Sequence, residues 1–360
     1  MNTKDIGTVI DFQTIKKSAK LGYSDSMYML GSLYADGYGT KVNMKLAKKW
    51  WLKAAKAGCA NAQYNAALMY FLGDGVKKSE EKAVEWYRKA AEQGHAMAQN
   101  DLGYAYESGQ GIEKNPQKAV EWYLKAAEQG MVLAEFNLGN AYEHGIGIEK
   151  NLELAFQWYL RAAEHGYAQA QCQVGWMYNK GLGVEENKVE GINWTIKSAN
   201  QGFGMGLNNL GAQYEWGPVL KQDFVKAAEL YQQAAEQGVV LGQRNLSGMY
   251  YAGKGVEQDY QKAFEWGMKA AEQGDVLAQR LIGSMYAHGK GMETDYEKAM
   301  LWLLKAAEQK DAKSCRMIAS MYMHGHGVEE NDAKVLEWCK KAAELGDEKA
   351  KKYLEEREEE

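Results

Sequence analysis

The sequence predicts an all-α solenoid of about nine 36-residue helix pairs, closed by a capping helix at each end, and three observations predict it. Glycine stands at positions 22, 58, 94, 130, 166, 202, 238, 274 and 346, every gap a multiple of 36, and the one register missed, 310, holds lysine. Tyrosine keeps the same step at 34, 70, 106, 142, 178, 214, 250, 286 and 322. Tryptophan stands eight residues before the glycine register at 50, 86, 122, 158, 194, 266, 302 and 338, with Leu230 as the lone substitute. A fixed period in the range of about 20 to 50 residues marks a repeat array, in which each unit buries its apolar face against its neighbours.

The elements follow in order. Residues 1–22 form an N-terminal segment whose stretch from about 8 to 21 is expected to cap the array; it matches the second helix of a unit but has Thr14 where the tryptophan falls. Residues 23–346 hold the nine units, of which the third, His95 to Gly130, serves as the type. Ala98, Leu102, Ala105 and Tyr106 recur at helical spacing, predicting helix A over roughly 96–108, with Gly103 leaving room for a close helix approach. Gly109 and Gly111 end it, since glycine takes a left-handed conformation at no steric cost. Asn115 and Pro116 then read as N-cap and first helical residue of helix B, roughly 116–129. The cap register also holds Asn43, Ser79, Asn151, Asn187, Asp223, Asp259, Asp295 and Asn331, all side-chain acceptors. Ala119, Trp122, Ala126 and Ala127 are expected on the buried stripe of helix B, with Glu121 and Lys125 paired on the wet side. Residues 347–360 match helix A through Ala350 and Leu354 and end in EEREEE, a polar C-terminal cap. The expected total is twenty helices in one elongated domain.

Composition agrees and excludes several classes. Proline occurs only at Pro116 and Pro218, which favours helix throughout. A net charge of -5 argues against a nucleic-acid binder. No apolar run approaches the roughly 18 to 20 residues that span a bilayer, and the N-terminus lacks a secretory pattern, so a cytoplasmic protein is expected. Cys59, Cys172, Cys315 and Cys339 form no CxxC pair and read as reduced thiols in helical packing.

The pattern AxxxLGxxYxxGxG followed by DxxKAxxWYxKAAExG resembles the Sel-one-like repeat family, relatives of the tetratricopeptide repeat, over about nine tenths of the chain. In the third unit Ala98, Leu102, Gly103, Tyr106, Gly109, Gly111, Ala119, Trp122, Tyr123, Ala126, Ala127 and Gly130 carry the match. The resemblance implies a right-handed superhelix of antiparallel helix pairs. It also implies an adaptor that binds proteins or peptides, often in bacterial signalling, host interaction or toxin neutralisation. Departures cluster in units five and six, where Gly191, Thr195, Gly204, Gly206 and the sequence Gly217-Pro218-Val219 break the pattern and mark a candidate hinge or contact site.

Apparent catalytic motifs dissolve into the register. Ser79 to Lys82 spells SxxK, but Ser79 occupies the cap position and Lys82 recurs in other units. The GxG turns recur at one connection and follow no strand, which argues against a nucleotide loop. His324 and His326 lack further metal ligands at suitable spacing. No catalytic residue, cofactor or metal is therefore expected, and an enzyme or a beta-lactam-like small-molecule binder is the less favoured reading.

The family mapping places variable helix A positions on the concave face. One register reads Tyr28, Tyr64, Asn100, Phe136, Cys172, Asn208, Arg244, Arg280 and Arg316, and the last three form a ladder that suits an extended acidic segment. Salt bridges to the next unit are the alternative for these arginines. Gly248, Ser284 and Ser320 beside them leave room. Tyr104, Asn140, Trp176, Trp216 and Tyr251 offer anchors on the same surface, accompanied by Glu107, Glu143 and Glu215. The expected partner is a protein or extended peptide, an acidic one suiting the arginine ladder, bound by a monomer; a cytosolic immunity protein that covers a cognate toxin is the concrete alternative. Reversing the three arginines to glutamate is expected to abolish capture without changing helicity or melting.

Overall fold

The computed structural model describes residues 12–358, all of its regular structure being α-helix. Its contacts divide into two compact units, one running to Glu186 and the other starting at Asn187. The first holds α1 (Phe12–Lys20), α2 (Ser24–Asp36), α3 (Met44–Lys56), α4 (Ala60–Leu72), α5 (Glu80–Glu92), α6 (Ala96–Ser108), α7 (Pro116–Ala127), α8 (Val132–His144), α9 (Leu152–Glu164) and α10 (Ala168–Lys180). The second holds α11 (Lys188–Asn200), α12 (Gly204–Trp216), α13 (Phe224–Glu236), α14 (Val240–Ala252), α15 (Tyr260–Glu272), α16 (Val276–His288), α17 (Tyr296–Glu308), α18 (Ala312–Met323), α19 (Asp332–Glu344) and α20 (Glu348–Glu358). Within each unit consecutive helices pack as pairs, and the twenty helices among the described residues match the expected one, eighteen and one. Of the expected N-terminal cap, residues 8–11 lie outside the described residues, as do Glu359 and Glu360 at the other end.

Every B helix begins as the register demands: the side chain of Asn43, Ser79, Asn115, Asn151, Asn187, Asp223, Asp259, Asp295 or Asn331 accepts the N–H of the residue three further on. In the third repeat Asn115 Oδ1 takes Lys118 N–H at 3.0 Å, while Asn115 N–H donates to Tyr106 O at 2.8 Å and closes the turn. The second glycine of each GxG has a steric reason of its own. A Cβ on Gly147 would stand 2.2 Å from Pro116 O, so the turn lies directly on the start of helix B in the preceding repeat.

Helix A meets helix B through complementary sizes. A Cβ on Gly103 would lie 2.7 Å from the Tyr123 ring, and Gly139 meets Tyr159 in the same way at 2.5 Å. The seventh repeat reverses the arrangement, with Ser247 on helix A donating to Ala263 O at 2.6 Å and Gly267 at the aromatic position.

Two expectations for helix B are corrected here. Tyr123, not Trp122, is the fully buried ring, and Trp122 is half-buried. Lys125 turns to it, its Nζ 4.0 Å from the Trp122 ring centroid, rather than to Glu121. Side chains three apart stack on a helix, and an ammonium over an indole face is held by the ring quadrupole. Lys53, Lys89, Arg161, Lys197, Lys269, Lys305 and Lys341 cover Trp50, Trp86, Trp158, Trp194, Trp266, Trp302 and Trp338 alike.

The irregular repeat six has a local explanation. Gly217 is extended (φ -69°, ψ 144°), so α12 ends without a left-handed residue, yet Gln222 Nε2 donates to Glu215 O at 2.8 Å just as Gln258 Nε2 donates to Tyr251 O in the regular seventh repeat. Gly206 permits the close approach of α12 to α11, where a Cβ would fall 2.4 Å from Ser198 Oγ.

Candidate protein-binding groove

The arginine ladder has partners within the fold. Arg244 Nη1 donates to Asp275 Oδ2 at 3.2 Å, Arg280 Nη1 to Asp311 Oδ1 at 2.6 Å, and Arg316 Nε to Asp347 Oδ2 at 3.0 Å. Each aspartate also caps the next A helix, accepting the N–H of Ala278, Ser314 or Ala350. For Asp347, burial pushes the carboxyl up but is outweighed by the Arg316 bond and the Ala350 N–H, so it stays below the usual carboxylate range. In the first unit two of the equivalent pairs are aromatic: Tyr64 stacks on His95 at 4.7 Å, and Phe136 meets Tyr167 edge-on at 5.2 Å. Much of the variation at this register is therefore matched by variation at the following repeat's cap position. Reading the two registers side by side, 31 residues apart, would have found the Arg–Asp pairs in the sequence.

The guanidinium groups nevertheless remain partly open, and they share one groove. Trp216, Arg244, Tyr251, Arg280 and Arg316, all singled out from sequence, line a groove of about 570 Å³ in the second unit together with Leu277, Lys313 and Met317. Trp216 is 68% exposed, with Lys254 Nζ 4.8 Å from its ring. Gly248 and Ser284 lie in the groove lining as the expected small residues. A planar cation carries five donors, and the bond to aspartate engages one nitrogen of Arg280 and one of Arg316, whereas Arg244 also donates through Nε and Nη2 to Asn245 Oδ1 at 3.3 Å. An incoming carboxylate meets donors already oriented by a neighbour.

In the first unit Trp176 is 39% exposed and Tyr104 55% exposed, which makes both accessible, while Tyr64, Phe136 and Asn140 are half-buried. Asn100 and Asn208 depart from the expected role, because both are buried. Asn137 Nδ2 donates to Asn100 Oδ1 at 3.1 Å and Asn245 Nδ2 to Asn208 Oδ1 at 3.0 Å, so these amides join adjacent repeats instead of facing a partner. The glutamates are engaged within the fold: Glu107, Glu143 and Glu215 accept the hydroxyls of Tyr123, Tyr159 and Tyr231 at 2.8, 2.7 and 2.8 Å, and Glu215 also contributes to the groove lining. Burial and the adjacent carboxylate push these phenols well above their ordinary range.

Ser79 Oγ accepts Lys82 N–H and donates to Glu81 Oε2 at 2.8 Å, while Lys82 Nζ lies 5.5 Å from the Tyr70 ring, so the SxxK motif is a helix cap. His326 stacks on Tyr296 at 4.6 Å. Burial raises the thiols of Cys59, Cys315 and Cys339. No helix among the described residues is long and apolar enough to cross a membrane.

The Sel1 repeat model matches nine consecutive segments, from residues 24–59 through 312–347, without a gap. The chain belongs to the Sel1 repeat family. Sel1 repeat proteins generally mediate protein–protein interaction, and their scaffolds are generally non-enzymatic. Two solved structures are similar along most of the chain. One is a Sel1 repeat protein from Oxalobacter formigenes, 29% identical, with a TM-score of 0.64 over 86% of this chain and 89% of that one. The other is c5321, described as a protective antigen of uropathogenic Escherichia coli with an SLR fold, 29% identical, with a TM-score of 0.59 over 93% of this chain and 87% of that one. Among curated proteins none matches.

Proposed function

We propose that this chain is a non-enzymatic scaffold that binds a partner protein, and that the groove on α12, α14, α16 and α18 holds an extended, acidic segment of that partner. The observation that carries the reading is the meeting of an exposed indole with three part-exposed arginines, of which Arg280 and Arg316 each give one nitrogen to their aspartate, in one groove of about 570 Å³. Trp, Tyr and Arg dominate binding energy at interfaces, and arginine grips carboxylates in a planar fork. The three arginines come from successive A helices, and packed helices lie ~8–10 Å apart, about three residues of extended chain.

The test is affinity purification of the tagged chain from its native host, in parallel with Trp216→Ala. A partner that is recovered by the wild type, lost from the variant and able to protect Trp216 from oxidation supports the groove. A partner retained equally by both places recognition elsewhere. A single stoichiometric partner encoded beside this gene, whose toxicity the chain suppresses, would assign the immunity role within this reading.

A further inference from the structure

A second cavity, in the first unit, has a different character. It encloses about 250 Å³ between α4, α5 and α6 and is walled by Leu68, Phe71, Val84 and Tyr87, with Leu72 and Tyr104 exposed at its lip. Asp101 lines it. Its two carboxylate oxygens accept one bond each, from Tyr64 Oη at 3.1 Å and Asn100 Nδ2 at 3.1 Å. A carboxylate offers about four acceptor positions, so roughly half remain open. Among the described residues Asp101 makes no ion pair, whereas the other charged residue of the lining, Glu80, is already paired with Lys78 Nζ at 3.5 Å, an ammonium that lies 5.9 Å from the Phe71 ring centroid. Burial holds the Asp101 carboxyl above its ordinary range, against the opposing bonds from Asn100 and Tyr64. An apolar wall ending in an unpaired carboxylate complements an aliphatic stem that ends in a cation.

We propose that this cavity receives a lysine side chain of a partner protein, its methylenes against Leu68, Phe71 and Val84 and its ammonium on Asp101. Lysine fits better than arginine because each Asp101 oxygen already accepts a bond, which disfavours a two-point guanidinium grip, whereas a point charge needs only the remaining lone pairs. The site rests on the reading that the ligand is a protein but not on the groove of the second unit. Its charge is opposite to that groove's ladder.

The experiment titrates the full chain, methyl-labelled at leucine, with Nα-acetyl-lysine methylamide and with its norleucine and arginine counterparts. The expected result is a shift of the Leu68 and Leu72 methyls that saturates at least about tenfold earlier with the lysine probe than with norleucine, as a charge-assisted bond gives. Asp101→Asn should remove that preference, and Arg280→Gln should leave it unchanged. Equal responses to lysine and norleucine, a stronger response to arginine, a preference that survives Asp101→Asn, or no shift at millimolar probe would each overturn the assignment. The comparison of probes on the unmodified chain decides the matter even if the Asp101 variant does not fold. Failure here with a working Trp216-dependent partner leaves the groove intact, and the reverse result separates the two sites equally well.

Discussion

Glu135 shows how one residue choice propagates. At Gln63, Gln99, Gln243 and Gln279 a glutamine on helix A donates to the end of the preceding B helix and accepts from the glutamine that follows helix B of its own repeat: Gln99 Nε2 meets Ala91 O at 3.1 Å and Gln129 Nε2 meets Gln99 Oε1 at 2.7 Å. The fourth repeat replaces three members together. Glu135, fully buried, is held by His165 Nδ1 at 2.8 Å and Arg161 Nη2 at 3.3 Å, where the third repeat has Gln99, Gln129 and Lys125. Glu135 Oε1 makes no hydrogen bond and is held by charge alone. Arg161→Met should therefore cost about 1–3 kcal/mol by leaving the buried carboxylate with His165 as its one remaining charged neighbour, whereas Glu135→Gln with His165→Gln, which restores the glutamine pair of the third repeat, should stay within about 0.5 kcal/mol of the parent in urea unfolding. Lys310 carries a second residue-scale cost: alone among described non-glycine residues it has positive φ, 65°, at the register where the other repeats place glycine. Lys310→Gly should stabilise the surrounding repeats by about 0.5–1 kcal/mol, read as slower native-state hydrogen exchange in α17 and α18.

At the scale of the helix pair, the determining quantity is the distance between helix A and helix B. Gly139 over Tyr159 and Gly103 over Tyr123 allow the aromatic ring to lie against backbone, and the ring in turn places its hydroxyl on Glu143 or Glu107. Gly139→Ala puts a methyl 2.5 Å from that ring and should destabilise by about 1–3 kcal/mol, with the loss seen as a lower urea midpoint; an unchanged midpoint would mean the pair adjusts freely. The Gly103 approach was legible in the sequence because a lone glycine inside a helical pattern asks for a reason. The burial of Tyr123 in place of Trp122 was not, since the two are adjacent on the helix and periodicity alone separates them poorly. Only the neighbouring Gly103 decides which ring goes inward, and the larger indole is left to the lysine three residues on.

At the scale of the whole molecule, the ladder's dual use alters what its mutation reports. Reversing Arg280 to glutamate would place a second carboxylate beside Asp311, itself the cap of α18, so melting is expected to fall along with binding, contrary to the expectation of unchanged stability. Arg280→Gln is the cleaner probe: partner affinity should fall about tenfold, with a stability loss of about 1 kcal/mol or less, measured by calorimetric titration and urea unfolding on the same sample. An affinity unchanged by Arg280→Gln would confine the ladder to joining repeats. Asn100 and Asn208 mark where the sequence reading overreached, because variation along a register can record a changed neighbour as readily as a changed ligand.

The sequence by itself determined the period, the twenty helices, their caps and their glycine stops, because those depend on local backbone chemistry repeated in register. It also delivered eight of the residues that line the groove, the small Gly248 and Ser284 and the acidic Glu215 among them. Tertiary structure alone decided which variable side chains are spent between repeats, as with Asn100, or inside one, as with the glutamates, and which keep an open face, as with Trp216. The physical reason is that capping and turn formation read only a few neighbours along the chain, while burial depends on side chains 31 to 37 positions away, whose identities vary in step.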